Sequence, residues 1–486
     1  MKRIIAILLT LIMIAALVGC GEKKRQPIQL TLSTEDAEAI LRAAGIALPD
    51  AENAPGANSV VKWFAWYDPL QNYSEDEIVN SGYWTFQQKY NSSIEYVEAG
   101  SYYTKNDDLA NLLLGGTPPD TAPVGTSNTA VFPNSCLKGM YQPVDQWIDY
   151  TDPLWADMAD AAEYFELGGH HFAIITDLQF KSVIPYNRRV MEEWGFDDPA
   201  ELYWNDEWTW DVYQEMCLDF TDVDAERFAL NGWYVANSLC EESTGHYIIQ
   251  KDENGFYSNL DDPVIERAET LLYDLVKNGC TLHSGNDYWC SDRQEPYGQG
   301  VKEGNILFYP CDPNDGFVAP VEEIKAVWGD IEDGEFMFAP LPRDPQGDGI
   351  YYLNSTPLGY MIISGAKNPE GVYLLAACTR FKIIDPTVIN IDRKQLKEKY
   401  LWTDEMLAMW DECRELSAEN IRMYYTGDLP ENCQSAYNSI DWGIHRSGAS
   451  NSWSQLKETY SERLQYYLDE VNAIIDDYVY TGGFTG

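Results

Sequence analysis

The chain predicts an α/β fold built on a largely parallel sheet, and three observations carry that expectation. Its 486 residues are enough for two lobes with full cores. Hydrophobic residues make up 45% of it, with 35 Gly and 24 Pro, a globular composition. From Val60 onward, strand-like segments alternate with segments of helical period, the pattern of an α/β sheet.

The chain opens with Lys2 and Arg3, then an apolar run from Ile4 to Val18 broken only by Thr10, closed by Leu17-Val18-Gly19-Cys20. This is a secretory signal of the bacterial lipoprotein type. The run is short for a membrane span, which takes about 20 apolar residues. Cys20 is then the lipidated first residue of a mature chain that works outside the cytoplasmic membrane while tethered to it. A short transmembrane anchor is the alternative. Residues 21–59 are polar, from Gly21-Glu22-Lys23-Lys24-Arg25 to the Pro49–Asn58 stretch, and read as a tether. A short helix from Thr34 to Ala44, capped by Ser33 or Thr34, interrupts it. At roughly 3.3–3.6 Å per residue the tether would reach on the order of 130 Å.

The body begins with the strand Val60-Val61-Lys62-Trp63-Phe64-Ala65-Trp66, by its β-branched and aromatic content. Ile78–Tyr90 reads as a helix, Ser93–Val97 as a strand, and Asp107–Leu114 as a helix closed by Gly115-Gly116. Phe172–Ile175 and Ser182–Tyr186 are strands, and Arg188–Trp194 is a helix. Pro263–Lys277 is amphipathic, with Pro263 in its first turn and Gly279 after its end. Beyond Phe381 the chain turns helical and closes with a long amphipathic helix over Trp453–Asp477.

A formal charge of −45 repels nucleic acid and anionic headgroups, so no nucleic-acid partner is expected and a strongly anionic ligand is disfavoured. The cysteines form no C-x-x-C pair, and a domain of this size needs no staples. Cys280 and Cys290 lie close enough for a local bridge; buried free thiols are the expectation for most of the others. No nucleophile elbow, H-E-x-x-H or phosphate loop occurs, and neither a metal nor a cofactor is expected. Asp312-Pro313-Asn314-Asp315-Gly316 begins like a calcium loop, but Gly316 falls one position early and a tight turn fits better. His170-His171 follow Gly168-Gly169 and flank a hairpin turn. Among 78 carboxylates, paired-acid glycosidase chemistry is neither read nor excluded by spacing.

Seven segments in order carry a resemblance. Leu109–Asp120 is similar to the "ASGDAPDV" passage of extracellular solute-binding proteins, and Gly139–Asp145 to their "GLLLPLD". Pro185–Gly195 resembles "YYNKDLFEEAG", and Trp208–Tyr213 resembles "TWDEF". Gly300–Leu307 resembles "FASGKAAM", Phe338–Pro342 "VAPLP", and Gly365–Glu370 "SKNPEAA". Across about 300 residues and behind a lipobox, the chain resembles the substrate-binding lipoproteins of ABC importers, of the sugar-binding type related to maltose-binding protein. The long tether departs from that pattern, and Ile383–Cys433 matches no part of it.

The resemblance implies a two-lobed periplasmic-binding-protein-like fold of type II, with ligand held in the cleft and no covalent chemistry. It implies a monomer that captures a carbohydrate, most simply an oligosaccharide, and delivers it to the transmembrane subunits of an ABC permease. A surface glycoside hydrolase, a peptide or polyamine receptor and a sensor component are the rivals. Expected segments are the first lobe at 60–180 and 361–415, the second lobe at 181–325 and 416–486, and a crossing region at 326–360. Crossings are placed near Gln179–Val183, Ala319–Phe338 and Thr356–Ile362.

Site residues must then come from both lobes, with aromatic planes for sugar C–H faces and planar polar groups for hydroxyls. Trp66 or Tyr67 would stack and Asp68 would accept hydroxyl hydrogen bonds; alternatively Trp66 is a core plug. Thr126-Ser127 follows a strand where the family places polar contacts, or caps the next helix. Gln179 would present its amide at the first crossing. One of Trp233 and Tyr234, with Asn237, would supply a second-lobe aromatic site. Asp312 stands in the family's "GPW" turn, where Trp is missing. Trp442 and Trp453 flank Gly443–Ser452, a stretch read as flexible, and Trp453 matches a late aromatic that closes over sugar.

Overall fold

The computed structural model describes residues 34–71, 78–101, 103–124, 132–232, 241–282, 300–319, 321–425, 427–478 and 480. Its principal strands, in chain order, are β1 (Val60–Ala65), β2 (Ser93–Glu98), β3 (Thr121–Val124), β4 (Tyr141–Gln142), β5 (Ile174–Phe180), β6 (Ile184–Asn187), β7 (Phe228–Leu230), β8 (Ile306–Phe308), β9 (Phe336–Ala339) and β10 (Ser355–Ile363). The helices used below are α1 (Thr34–Ala43), α2 (Gly82–Tyr90), α3 (Lys105–Leu114), α4 (Arg188–Trp194), α5 (Pro263–Lys277), α6 (Pro369–Ile383), α7 (Pro386–Lys399), α8 (Asp404–Glu419), α9 (Glu431–Asp441) and α10 (Trp453–Asp476).

The first lobe is a six-stranded sheet in the order β2-β1-β3-β10-β4, with β5 also paired to β10. β1 runs parallel to β2 in register from Val60↔Ser93 to Ala65↔Glu98, and parallel to β3. β10 is antiparallel to β3, β4 and β5, so the sheet is mixed rather than largely parallel. The reason lies in the route of the chain: β10 enters this sheet on its return from the second lobe, not through a helical crossover. In the second lobe β7 pairs parallel with β8, and β6 antiparallel with β9. Reciprocal backbone bonds between Val183 and Cys311, at 3.1 and 3.2 Å, join the two pairs. Glu166–Leu167 and His170–His171 form the hairpin expected around Gly168-Gly169.

One apolar core runs through both lobes, including Phe172, Tyr186, Phe308, Phe338, Met361 and Trp402. A second lies behind the first sheet around Val61, Phe86, Trp155, Ile362 and Leu375. The chain passes from the first sheet to the second-lobe strands between Phe180 and Ile184, and returns along the run from β9 to β10. The crossings placed at Ala319–Phe338 and Thr356–Ile362 are corrected. Phe336–Ala339 is a second-lobe strand, and Ser355–Ile363 is fully engaged in the first-lobe ladder.

The tether reading over 21–59 also needs correction from residue 34 onward. Ala37 and Leu41 on α1 are buried, and Leu41 and Ile46 belong to the second core. The Tyr90 hydroxyl donates to the Pro49 carbonyl at 2.7 Å, and the Asn58 N–H donates to the Tyr90 carbonyl at 2.8 Å. Gly56 is required there: a Cβ would stand 2.5 Å from the Glu370 backbone. Residues 34–58 are thus an arm strapped to the first lobe.

Asp312 begins a helical turn, Pro313–Gly316, rather than a tight turn, because its carboxylate accepts the Asn314 N–H at 2.9 Å. Cys217, Cys280, Cys378, Cys413 and Cys433 are buried free thiols, and Cys136 and Cys311 are buried as well. Cys20 and Cys290 lie outside the described residues. No described helix is long and apolar enough to cross a membrane.

Candidate functional site

A cavity of about 1170 Å³ opens at the seam of the lobes. The alternation of β1 turns Val61, Trp63 and Ala65 toward the core behind the sheet, with Trp63 at the cavity wall. Trp63 meets Tyr360 of β10 edge to face, with centroids 5.2 Å apart. Its indole is 8% exposed, and its Nε1–H finds no acceptor among the described residues. Just past the end of β1, Tyr67 reaches the cavity.

On the next wall, the Ser81 hydroxyl caps α2 by accepting the Trp84 N–H at 3.2 Å. This cap starts the helix with Ser81, Gly82 and Tyr83 at the cavity. The floor is a β-bulge of β10 at Leu358/Gly359. A Cβ on Gly359 would stand 2.1 Å from the Ile174 carbonyl oxygen, so only glycine fits. Asn314 and Val318 come from the second lobe.

The remaining wall is the segment that matched nothing in the sequence. α7 and α8 contribute Ile391, Gln395, Trp410 and Arg414, with Tyr400 between them. Trp410 packs edge-on against Phe180 of the first lobe, at 4.8 Å, and against Trp402, at 5.4 Å. Trp402 in turn packs on Phe317 and Phe338 of the second lobe. α8 is fastened at both ends. Arg188 of α4 grips Glu405 through two bonds of 2.8 and 2.7 Å, and Arg414 donates to Asp177 of β5 at 3.2 Å.

Three of the cations at this cavity have a carboxylate partner. Lys382 faces Asp385 at 3.8 Å, Lys394 faces Glu398 at 3.7 Å, and Arg414 faces Asp177. Among the described residues no group of three or more His, Cys, Asp or Glu is placed to hold a metal. The arrangement offers aromatic faces, planar amides and hydroxyls, and one buried indole donor without an acceptor.

Of the site residues proposed from sequence, Tyr67 lines this cavity. Trp66 is exposed and packs edge-on against Tyr67 at 5.3 Å, not in the core. Asp68 spends Oδ1 on the Leu70 N–H at 2.9 Å. Gln179 is half-buried in β5, opposite Thr356. Asp312 is buried as the cap of its turn and places its neighbour Asn314 at the cavity. Trp442 and Trp453 are corrected: both are buried in the helical core of the C-terminal region. The stretch between them, read as flexible, contains the helical turn Gly443–Arg446 with Ile444 and His445 buried. Packing of α9 and α10 claims both indoles. Thr126, Ser127, Trp233, Tyr234, Asn237 and Cys20 lie outside the described residues.

Sequence reasoning missed Trp63, Tyr360, Tyr400, Trp410 and Arg414. Trp410 and Arg414 are four apart on one helix, a spacing that places both on one face. That signal was present, but nothing in the sequence said that the face borders a cavity.

Neither a protein-family model nor a curated protein sequence matches the chain. Solved structures do match it in fold. The sugar-binding protein MalE of Xanthomonas citri aligns at a TM-score of 0.61 and 14% identity, over 86% of this chain and 100% of its own. The galacto-N-biose-/lacto-N-biose I-binding protein of an ABC transporter from Bifidobacterium longum, in complex with lacto-N-biose, gives 0.58 and 14%, over 87% and 99%. The GacH receptor of Streptomyces glaucescens, studied with acarbose, gives 0.57 and 14%, over 85% and 99%. The architecture is that of the two-lobed solute-binding proteins.

Proposed function

We propose that the chain captures a neutral carbohydrate of oligosaccharide size in the interlobe cavity and delivers it to an ABC permease, without covalent chemistry. The observation that carries this reading is the cavity itself. It draws aromatic and polar groups from the first lobe and from α7 and α8, and Asn314 from the second lobe, while Lys382, Lys394 and Arg414 each already face a carboxylate. A ligand touching both lobes favours the closed state by its differential affinity. At about 1170 Å³ the cavity exceeds the usual 300–1,000 Å³ or so of small-molecule sites, which leaves room for more than one sugar ring. The solved structures of like fold include sugar-binding proteins, which supports the same class of ligand. Lipidation of Cys20 would hold the protein near its permease.

A thermal-shift and calorimetric screen of the mature protein against mono- and oligosaccharides, amino acids and polyamines tests the reading. Oligosaccharides should raise Tm and bind near micromolar Kd, about −8 kcal/mol. Stabilisation by non-sugars alone, or sustained release of reducing ends from a glycan, would overturn it.

A further inference from the structure

A second, smaller pocket of about 280 Å³ lies on the lobe seam, apart from the cavity just described. Its walls carry three basic side chains, His246, Lys251 and Arg422, and the rings of Tyr164, Tyr247 and Tyr425. No carboxylate lines it, in a chain whose 78 acidic residues far outnumber its 33 Lys and Arg. We propose that this pocket binds a small oxyanion, held chiefly by the guanidinium of Arg422.

The charges around it decide the case. His246 Nδ1 sits 2.6 Å from Asp262, and Lys251 Nζ sits 3.6 Å from Glu166 while donating to the Glu163 carbonyl at 3.2 Å. Arg422 is different. Its Nε and Nη1 donate to the main-chain carbonyls of Gly245 and Ile421, each at 2.8 Å. Its guanidinium lies 5.5 Å from the Tyr352 ring centroid. No carboxylate among the described residues comes within 4.0 Å of it. Carbonyl dipoles fix the fork but do not cancel its charge, so one positive charge remains for an incoming anion. A rigid planar fork is the side chain best matched to carboxylate, phosphate or sulfate.

The net negative charge of the chain does not preclude this. Exposed charges beyond about 10 Å are screened at 0.1 M salt, whereas the contacts in the pocket are direct. The volume admits an inorganic oxyanion or the acid end of a single sugar acid. Tyr164 belongs to the first lobe and donates to the Ile421 carbonyl at 2.8 Å, while Lys251 and His246 belong to the second. An occupant would therefore touch both lobes.

Calorimetric titration of the mature protein with inorganic phosphate, sulfate and glucuronate, at constant ionic strength, tests the proposal directly. Saturable binding of at least one probe is expected, weakened tenfold or more by Arg422→Gln and less by Lys251→Gln. Tighter binding of glucuronate would identify an organic carboxylate as the source of the charge, and tighter phosphate or sulfate an inorganic ion. Circular dichroism verifies that each variant is folded; if Arg422→Gln is not, Lys251→Gln carries the comparison. Absence of saturable binding by the unaltered protein, or unchanged binding in the folded variants, would overturn the site. The readout is anion binding itself, so failure of the carbohydrate reading leaves it intact.

Discussion

Trp63 shows how one side chain serves both the core and the cavity. Its ring packs against Tyr360, while its buried N–H lacks an acceptor among the described residues. Leaving such a donor unmet costs about 1–3 kcal/mol, which a ligand hydroxyl would recover. Trp63→Phe should therefore weaken ligand binding by roughly 5- to 100-fold without lowering the Tm of the free protein. Calorimetry with the ligand found by screening, paired with a melt of the free variant, checks both halves. Asp428 offers a second test. Its carboxylate accepts bonds from the Ser135 N–H and hydroxyl, and burial pushes its pKa up to about 6, with those bonds and Lys138 and Lys105 opposing. A raised folded pKa means that its contribution is complete below the ordinary value of 3.8 and is lost as pH rises through about 6. The loss is on the order of 3 kcal/mol, from about 1.4 kcal/mol per unit. Urea melts from pH 4 to 7 should show this decline, and Asp428→Asn should flatten it relative to the unaltered protein.

At the scale of elements, the arm over residues 34–58 changes what the N-terminal region does. α1 and the turns after it cover the second core instead of spacing the body from a membrane. Leu41 is 1% exposed, so Leu41→Ala should cost about 2–5 kcal/mol, as for any buried leucine. A denaturant melt checks this; a change under about 0.5 kcal/mol would mean that the arm is not docked in solution. The elements themselves were largely legible in the sequence. α4 and α5 run over the predicted residues, and α10 ends one residue earlier, because their caps are local: Asn187, Asp262 and Ser452 each accept a first-turn N–H. The docking of the arm was not legible, since polar composition and prolines describe a solvated linker and a surface strap equally well. The cavity wall formed by α7 and α8 was not legible either. Its aromatic and ionic residues become a site only when strands far away in the chain come up against them.

At the scale of the whole molecule, the two-lobed architecture was legible through the resemblance that seven ordered segments carry, while the later crossings were not. β9 and β10 both read as β-rich, and only their ladders show that one belongs to each lobe. The link that composition could not reveal is α8. Removing the Arg188 fork would strand Glu405 and Asp198 without their charged partner. Arg188→Ala should lower stability by about 1.5–3 kcal/mol. It should also broaden the distribution of interlobe distances measured between spin labels on the two lobes. An unchanged distribution would show that α8 does not tie them.

That fastening has a mechanical consequence. Glu405 and Arg414 are separated by nine residues of helix, about 14 Å at 1.5 Å per residue. A helix of that length resists compression and stretch, so it acts as a connecting rod between the lobes. If both fastenings hold, the gap along that edge would keep its width while the rest of the seam moved. Any change in the cavity's width would then be smallest beside Trp410 and Arg414, which α8 itself places at the wall.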